Sequence, residues 1–489
     1  MEFFDEDLDK ETRPKSKKKK TVRVNHEMSV VVYFFVGLFL VMLGYFSWFV
    51  QIKAPDTINS SYNMRQQNLA KKVIRGKIFA ANGDVLAEQA MNSENKEVRY
   101  YPYSEVFAHA VGYSTHGGTG VESVANISLL TSDSPINERL QKEMAGVRNY
   151  GDDIYTTYDV GLQQVAYNAL GAYTGAIVVM EAKTGKILAM VSKPDFDPNT
   201  VSDNWAKVSN DKEKTPLLNR ATQGLYPPGS TFKIISLLEY MKENPDTYED
   251  YAYNCKGRIT VEDVTVDCFH SSVHGKVDLK SSFAKSCNSS FANIGNLLNT
   301  KKFSDTCSKL LLNKDLPIDL YYKRSSFALD RNSGREEIMH TAIGQGETLM
   351  TPMHIALITQ AIANKGMMMR SYEIEKQTNY QGTVIKSYEP KEYKRIMSEK
   401  EASVIQEYME EVVNTGTGKK LKDAGYTVAG KTGSAEYGNV KGESHAWFTG
   451  YSNVSDPDIV VTVIVEKAGS GSDYAVPMAK RVFDAYYGM

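Results

Sequence analysis

Apolar residues fall along this chain in several distinct patterns, and each predicts a different element. From Ser29 to Val50 no position is charged and most are hydrophobic, enough for a membrane-spanning helix of about 20 residues. Farther on, Ala176-Ile-Val-Val-Met180 and Lys186-Ile-Leu-Ala-Met-Val191 flank a short turn containing Gly185, which predicts a β-hairpin. After Tyr226-Pro-Pro-Gly229 comes Thr231-Phe-Lys-Ile-Ile-Ser-Leu-Leu-Glu-Tyr240. The prolines halt the preceding element, and the apolar run predicts a buried helix beginning at Ser230. Between Cys255 and Cys268 the pattern reads as two short strands joined by a tight turn, and Lys365 to Arg395 as a lysine- and tyrosine-rich surface hairpin. Towards the end, Tyr426-Thr-Val-Ala-Gly430, Ala446-Trp-Phe-Thr-Gly-Tyr451 and the β-branched run Asp458 to Glu466 predict an antiparallel meander. The amphipathic stretch Val476 to Tyr487 predicts a helix covering that sheet.

Charge settles the meaning of the first run. The dense cations, Arg13 to Arg23, lie immediately before it, and only Lys53 follows closely. That asymmetry predicts a cytoplasmic N-terminus with the remainder outside the membrane. No small-x-small cleavage site follows, so the segment is expected to stay as an anchor, with Tyr45 and Trp48 at its outer interface. Elsewhere the net charge of −2 and 42% hydrophobic content describe a globular chain with ample core and no basic face for nucleic acid. The expected organisation is a polar tail over 1–28, a span over 29–50, a mixed pedestal over 51–155 and an α/β domain over 156–489.

Candidate chemistry lies in three strings: Ser230-Thr-Phe-Lys233, Ser286-Cys-Asn288 and Lys431-Thr-Gly433. A serine hydroxyl needs a base, and lysine serves only where burial and nearby cations keep it partly neutral. Ser230 and Lys233 are one helical turn apart and share a face. The strings have decoys: Ser16-x-x-Lys19, Ser209-x-x-Lys212, Ser282-x-x-Lys285, Lys183-Thr-Gly185 and the literal Ser202-Asp-Asn204. Context separates them. Ser16 lies in the lysine run, Ser209 in a polar loop, Ser282 in a helical stretch leading into Ser286, and Lys183-Thr-Gly185 in the hairpin turn. Lys431-Thr-Gly433, by contrast, lies on a strand thinned by Gly430 and Gly433, beside which an extended substrate could add itself.

With these residues in place, the chain resembles the class B penicillin-binding proteins, membrane-anchored D,D-transpeptidases that cross-link peptidoglycan. The resemblance extends to Arg75-Gly-Lys-Ile78, Gly120-Val-Glu122, Thr157-Tyr-Asp159, Phe196-Asp-Pro-Asn199, Gly344-Gln-Gly346 and Thr351-Pro352. It implies an α/β fold in which helices sandwich a mainly antiparallel sheet, beside a smaller pedestal. It implies Ser230 as acylated nucleophile, Lys233 as its base, Ser286 as proton relay, Asn288 on the donor amide and Lys431 as a poising charge. Thr432, Gly433 and Ser434 would bind substrate, the hydroxyls of Thr432 and Ser434 taking the terminal carboxylate, with backbone N–H groups of Ser230 and Ser434 as oxyanion hole. The implied partners are stem peptides, β-lactams and a separate SEDS-type polymerase; no cofactor is implied. Ala80-Ala81 stand where many members carry Asp-Arg, which would remove a pedestal ion pair. Cys287 fills the middle of the second string, and Ser434 replaces a commoner threonine.

Four cysteines remain. A Cys255–Cys268 disulfide is left open, and Cys287 and Cys307 are expected as buried thiols. Adding His270 and His274 to the first pair gives a spacing that matches no common zinc finger, so no metal is assigned. Competing readings are a D,D-carboxypeptidase or β-lactamase, a β-lactam sensor and an idle cell-wall scaffold. The sensor would call for several spans and a cytosolic effector.

Overall fold

A computed structural model describes residues 26–50, 69, 71–437 and 443–489. The cationic run Arg13 to Arg23 and Lys53 lie outside the described residues. His26–Trp48 is a 23-residue, predominantly apolar helix with no buried side chain. At 1.5 Å per residue it is about 35 Å long, enough to cross a hydrocarbon layer of about 30 Å. This single apolar helix fits a single-pass membrane protein.

The rest of the described chain is a separate unit. At its centre is a five-stranded antiparallel sheet in the order Val428–Glu436, Ser444–Ser452, Ile459–Val465, Gly175–Glu181 and Ile187–Lys193. Its inner strands Ile459–Val465 and Gly175–Glu181 are apolar at nearly every position because both faces are covered. Ile177, Val179, Val461 and Val463 meet the helices Val160–Leu170 and Ala475–Tyr486. Alternate residues, Ala176, Val178, Val460 and Ile464, face the larger core around the fully buried helix Pro352–Ala363. The predicted hairpin, meander and terminal helix are all present. Lys183-Thr-Gly185 lies between the paired strands, and Ser202-Asp-Asn204 is exposed.

A second sheet of six strands carries the pedestal, in the order Val384–Ser387, Ile374–Thr378, Asp153–Thr156, Ile78–Phe79, Val85–Met91 and Glu97–Tyr100. The segment read as a surface hairpin is therefore only half one. Val384–Ser387 is exposed, but Ile374–Thr378 pairs with Asp153–Thr156 and is largely buried. Its residues, Ile374-Glu-Lys-Gln-Thr378, include one apolar side chain and no alternation that would announce burial, and nothing local marks the distant partner. Ala80 is wholly buried, and ion pairing here is carried by Glu122, buried between Arg75 at 2.6 Å and Arg99 at 2.7 Å. Removing either arginine would leave buried charge unbalanced.

Candidate active site

Three glycine-dependent contacts bring the strings together. Gly229 has φ +53°, and a Cβ there would lie 3.0 Å from the Ser434 carbonyl oxygen. Gly344, at φ +80°, touches the Gly229 backbone so closely that any Cβ would collide with its oxygen, and Gly229 N–H donates to the Gly344 carbonyl at 2.8 Å. Gly433 admits Pro228 and Thr231 against the strand Val428–Glu436. Trp447 Nε1 donates to the Pro227 carbonyl at 3.1 Å, so the Pro-Pro-Gly entry is fixed from the neighbouring strand as well. The predicted helix starts slightly later than expected. Gly229–Phe232 form a 3₁₀ turn, and the α-helix runs Lys233–Glu243. Proline leaves the entry without N–H groups and Gly229 takes a left-handed conformation, so the first turn tightens before regular helix begins.

Lys233 and Lys431 are completely buried and converge on one hydroxyl. Lys233 Nζ donates to the Ser286 carbonyl and to Asn288 Oδ1, both at 2.7 Å, and lies 3.3 Å from Ser286 Oγ. Lys431 Nζ donates to Ser286 Oγ at 2.9 Å and to the Thr432 carbonyl at 2.9 Å. Each ammonium also lies 5.5 Å from an aromatic ring, Phe291 and Phe283 respectively. Burial lowers Lys233 from its ordinary range to about 7, opposed only in part by Cys287 and Cys268. Burial, and then the neighbouring Lys233 cation, hold Lys431 well below its ordinary value. Neutral lysine has two N–H donors and a lone pair. The two 2.7 Å acceptors occupy the donors of Lys233 and leave the lone pair available.

Ser286 reaches both amines because it adopts φ +56°, unusual for a residue with a side chain. The helix Leu279–Ala284 ends just before it, and the helix Asn288–Leu297 begins just after Cys287. Its carbonyl is thereby turned to Lys233 while its hydroxyl stands between the two amines. Among the described residues Ser230 Oγ has no hydrogen-bond partner, and Ser230 is 7% exposed.

Ladder geometry shows where the strand's free groups point. In an antiparallel pair, alternate residues turn both N–H and C=O to the same side. Tyr437 N–H donates to the Glu443 carbonyl, so the odd-numbered residues face the neighbouring strand. Thr432, Ser434 and Glu436 face outward, along the sheet edge. Glu436 is already engaged: the Gln345 side-chain amide, with its oxygen on Glu436 N–H (2.9 Å) and its nitrogen on the carbonyl (3.3 Å), closes that end. Ser434 N–H is left facing the Gly229-Ser230 turn. Ser434 Oγ accepts from Gly471 N–H at 3.2 Å, and Thr432 Oγ1 is hydrogen-bonded to Thr417 Oγ1.

Of the eight predicted site residues, Lys233, Ser286, Asn288 and Lys431 are joined by hydrogen bonds, and Thr432, Gly433 and Ser434 continue the strand from Lys431 past the turn that carries Ser230. Sequence reading missed Thr417 and gave Gln345 no role; Thr415-Gly-Thr-Gly418, a hydroxyl flanked by two glycines, was the available signal for the first. The cysteines are all unbonded. Cys287 and Cys307 are both buried as expected, and Cys287 also lies beside Cys255 and Cys268 with His274; His270 is exposed. These four side chains could hold a metal ion.

A family model described as penicillin binding protein transpeptidase domain matches residues 175–484, and one described as penicillin binding protein A dimerisation domain matches residues 75–154. Peptidoglycan D,D-transpeptidase PbpA of Mycolicibacterium smegmatis is 29% identical over 441 residues, covering 84% of this chain and 88% of that protein. Peptidoglycan D,D-transpeptidase MrdA of Haemophilus influenzae is 28% identical over 80% of this chain and 66% of that protein. Penicillin-binding protein A of M. tuberculosis, solved as a penicillin G acyl-enzyme complex, superimposes with a TM-score of 0.76 at 27% identity, covering 84% of this chain and 99% of that one.

Proposed function

The chain belongs to the penicillin-binding protein transpeptidase family and is a serine-type peptidoglycan D,D-transpeptidase, acylated by β-lactams; from that premise we propose how its residues divide the work. The observation that carries the assignment is the meeting of two buried lysines on Ser286 Oγ, one of them Lys233, a single turn after a serine whose own hydroxyl is unengaged among the described residues.

Lys233, neutral at its lone pair, takes the Ser230 proton as Oγ attacks the carbonyl carbon of the penultimate D-alanine. The oxyanion that forms is met by the N–H groups of Ser230 and Ser434, a contribution of a few kcal/mol. As the peptide bond breaks, a proton passes from Lys431 or Lys233 through Ser286 Oγ to the departing D-alanine amine. The acceptor amine of a second stem peptide then attacks the ester, losing its proton along the same relay, and Ser230 Oγ regains one. Asn288 orients the donor amide. Thr432, its hydroxyl held by Thr417, and Ser434 bind the terminal carboxylate of the donor, which adds to the strand edge over Gly433 and stops short of Gln345.

If Lys233 is the base, acylation by a β-lactam rises with pH as Lys233 loses its proton and levels off above about 7. Stopped-flow labelling with a fluorescent penicillin across this range measures the limb. A rate that stays flat from acid to alkaline pH removes Lys233 from that role.

Transfer rather than hydrolysis is the defining property. Full-length protein in detergent, acylated by a thioester analogue of the donor, should pass the acyl group to added D-amino acid faster than to water. Mass spectrometry of the products distinguishes the two, and hydrolysis alone under every acceptor concentration would make the chain a carboxypeptidase. Further parts of the reading are that the N-terminus is cytoplasmic, the catalytic unit lies outside the membrane, and a separate SEDS-type polymerase supplies glycan strands. The cations preceding the apolar helix support the orientation, and a stretch between anchor and catalytic domain no longer than a pedestal, 51–155, supports a separate polymerase.

A further inference from the structure

Behind the second motif, four side chains from four short elements point at one another. Cys255 ends the strand Ala252–Cys255, Cys268 follows the strand Val264–Asp267, His274 precedes the strand Gly275–Asp278, and Cys287 caps the helix Asn288–Leu297. All three thiols are buried. Cys255 Sγ lies 3.7 Å from Cys268 Sγ and 3.3 Å from His274 Nδ1, and Cys268 Sγ lies 3.8 Å from Cys287 Sγ. All four atoms fall within 4.8 Å of one another.

These separations have a definite meaning. A disulfide needs sulfurs about 2.05 Å apart. A tetrahedral zinc with Zn–S bonds of about 2.3 Å places its sulfurs about 3.8 Å apart, and sulfur and imidazole nitrogen about 3.5 Å apart. The observed sulfur spacings are those of a tetrahedron's edges. The surroundings also suit thiolates: Gly257 N–H points at Cys255 Sγ at 3.4 Å, Ser289 N–H at Cys268 Sγ at 3.5 Å, and Ser289 Oγ lies 3.2 Å from Cys255 Sγ. Donors of this kind orient the ligating side chains in metal sites. The polypeptide around the cluster is two small hairpins, which have little stability of their own.

We propose that Cys255, Cys268, His274 and Cys287 bind one zinc ion, closing a four-coordinate structural site. Its position gives it a task. Cys287 separates Ser286 from Asn288, and Asn288 Nδ2 donates to the Asp267 carbonyl at 3.1 Å, next to Cys268. Fixing Cys268 and Cys287 to one ion fixes the left-handed turn at Ser286 and the carboxamide that holds Lys233. The zinc site is a positioning device and presents no open coordination position for substrate.

The test uses full-length protein purified in detergent without chelator. Elemental analysis should give about one zinc per chain, and exchange with cobalt(II) should produce the strong visible absorption of a tetrahedral ion together with thiolate-to-cobalt charge transfer. Cys255→Ser should lose most of the metal and slow β-lactam acylation by about 10–100-fold, the range for lost support around a metal site. Cys307→Ser, a buried cysteine outside the cluster, should keep both. If Cys255→Ser does not fold, the metal content and cobalt spectrum of the unaltered chain still decide the matter. Metal-free protein with four titratable thiols overturns the proposal, as does a native mass short by two hydrogens, which would mark a disulfide.

Discussion

Ser230→Ala should reduce covalent labelling by fluorescent penicillin to background while leaving the fold intact. The two halves of this expectation rest on different observations. Chemically, an acyl-enzyme needs an oxygen that can be deprotonated and reached, and Ser230 Oγ follows the Gly229 contact with Ser434 and has no competing hydrogen bond among the described residues. Structurally, the same lack of a partner means that deleting the hydroxyl breaks no contact, so stability should change by no more than about 0.5 kcal/mol. Labelling on a gel and a thermal melt read the two halves separately. The instructive failure is residual labelling: Ser286 is the hydroxyl that meets both amines, and a penicilloyl mass on its peptide would transfer the nucleophile's role to it.

Lys233→Met should slow acylation by about 10²–10⁴-fold, the usual contribution of a positioned base, and abolish the acid limb of its pH profile. Methionine nearly fills the volume of the lysine stem but carries neither lone pair nor donors. The Ser286 carbonyl and Asn288 Oδ1 lose their 2.7 Å partner, at a cost of about 1–3 kcal/mol for buried acceptors left unpaired; removing a desolvated amine offsets part of this. Activity therefore falls much further than stability does. Stopped-flow acylation at pH values on both sides of 7 checks both features at once. A variant that is slow but keeps the acid limb would place the titrating base elsewhere, with Lys431 the first alternative.

Sequence was most informative where one segment contains its own explanation. The continuous apolar strands announce burial on both faces, Pro-Pro-Gly announces the entry to the serine helix, and Gly430 and Gly433 announce a close approach. It was silent where two remote segments share one contact. Nothing near Ile374 indicates pairing with Asp153–Thr156, and nothing near Glu436 indicates the Gln345 amide. The cysteines show the same limit in one place. Cys255 and Cys268 could be matched with each other by proximity in the chain, but Cys287 joins them only because the turn at Ser286 points it back at the hairpins. Motif spacing failed for His274 for that reason: the cluster is assembled from four elements and has no linear signature.

The outward-facing Ser434 on an open sheet edge has one more implication. The part of the proposed grip made by main-chain atoms reads the shape of a peptide and not the identity of its side chains, and that part is encoded by no side chain. An inhibitor that imitates the peptide backbone therefore exploits something a point substitution cannot delete. Selection for escape would have to act on the supports, such as the glycine contacts at Gly229 and Gly344, the turn at Ser286 or the Gln345 stop. Each change there would tax the natural reaction along with the inhibited one.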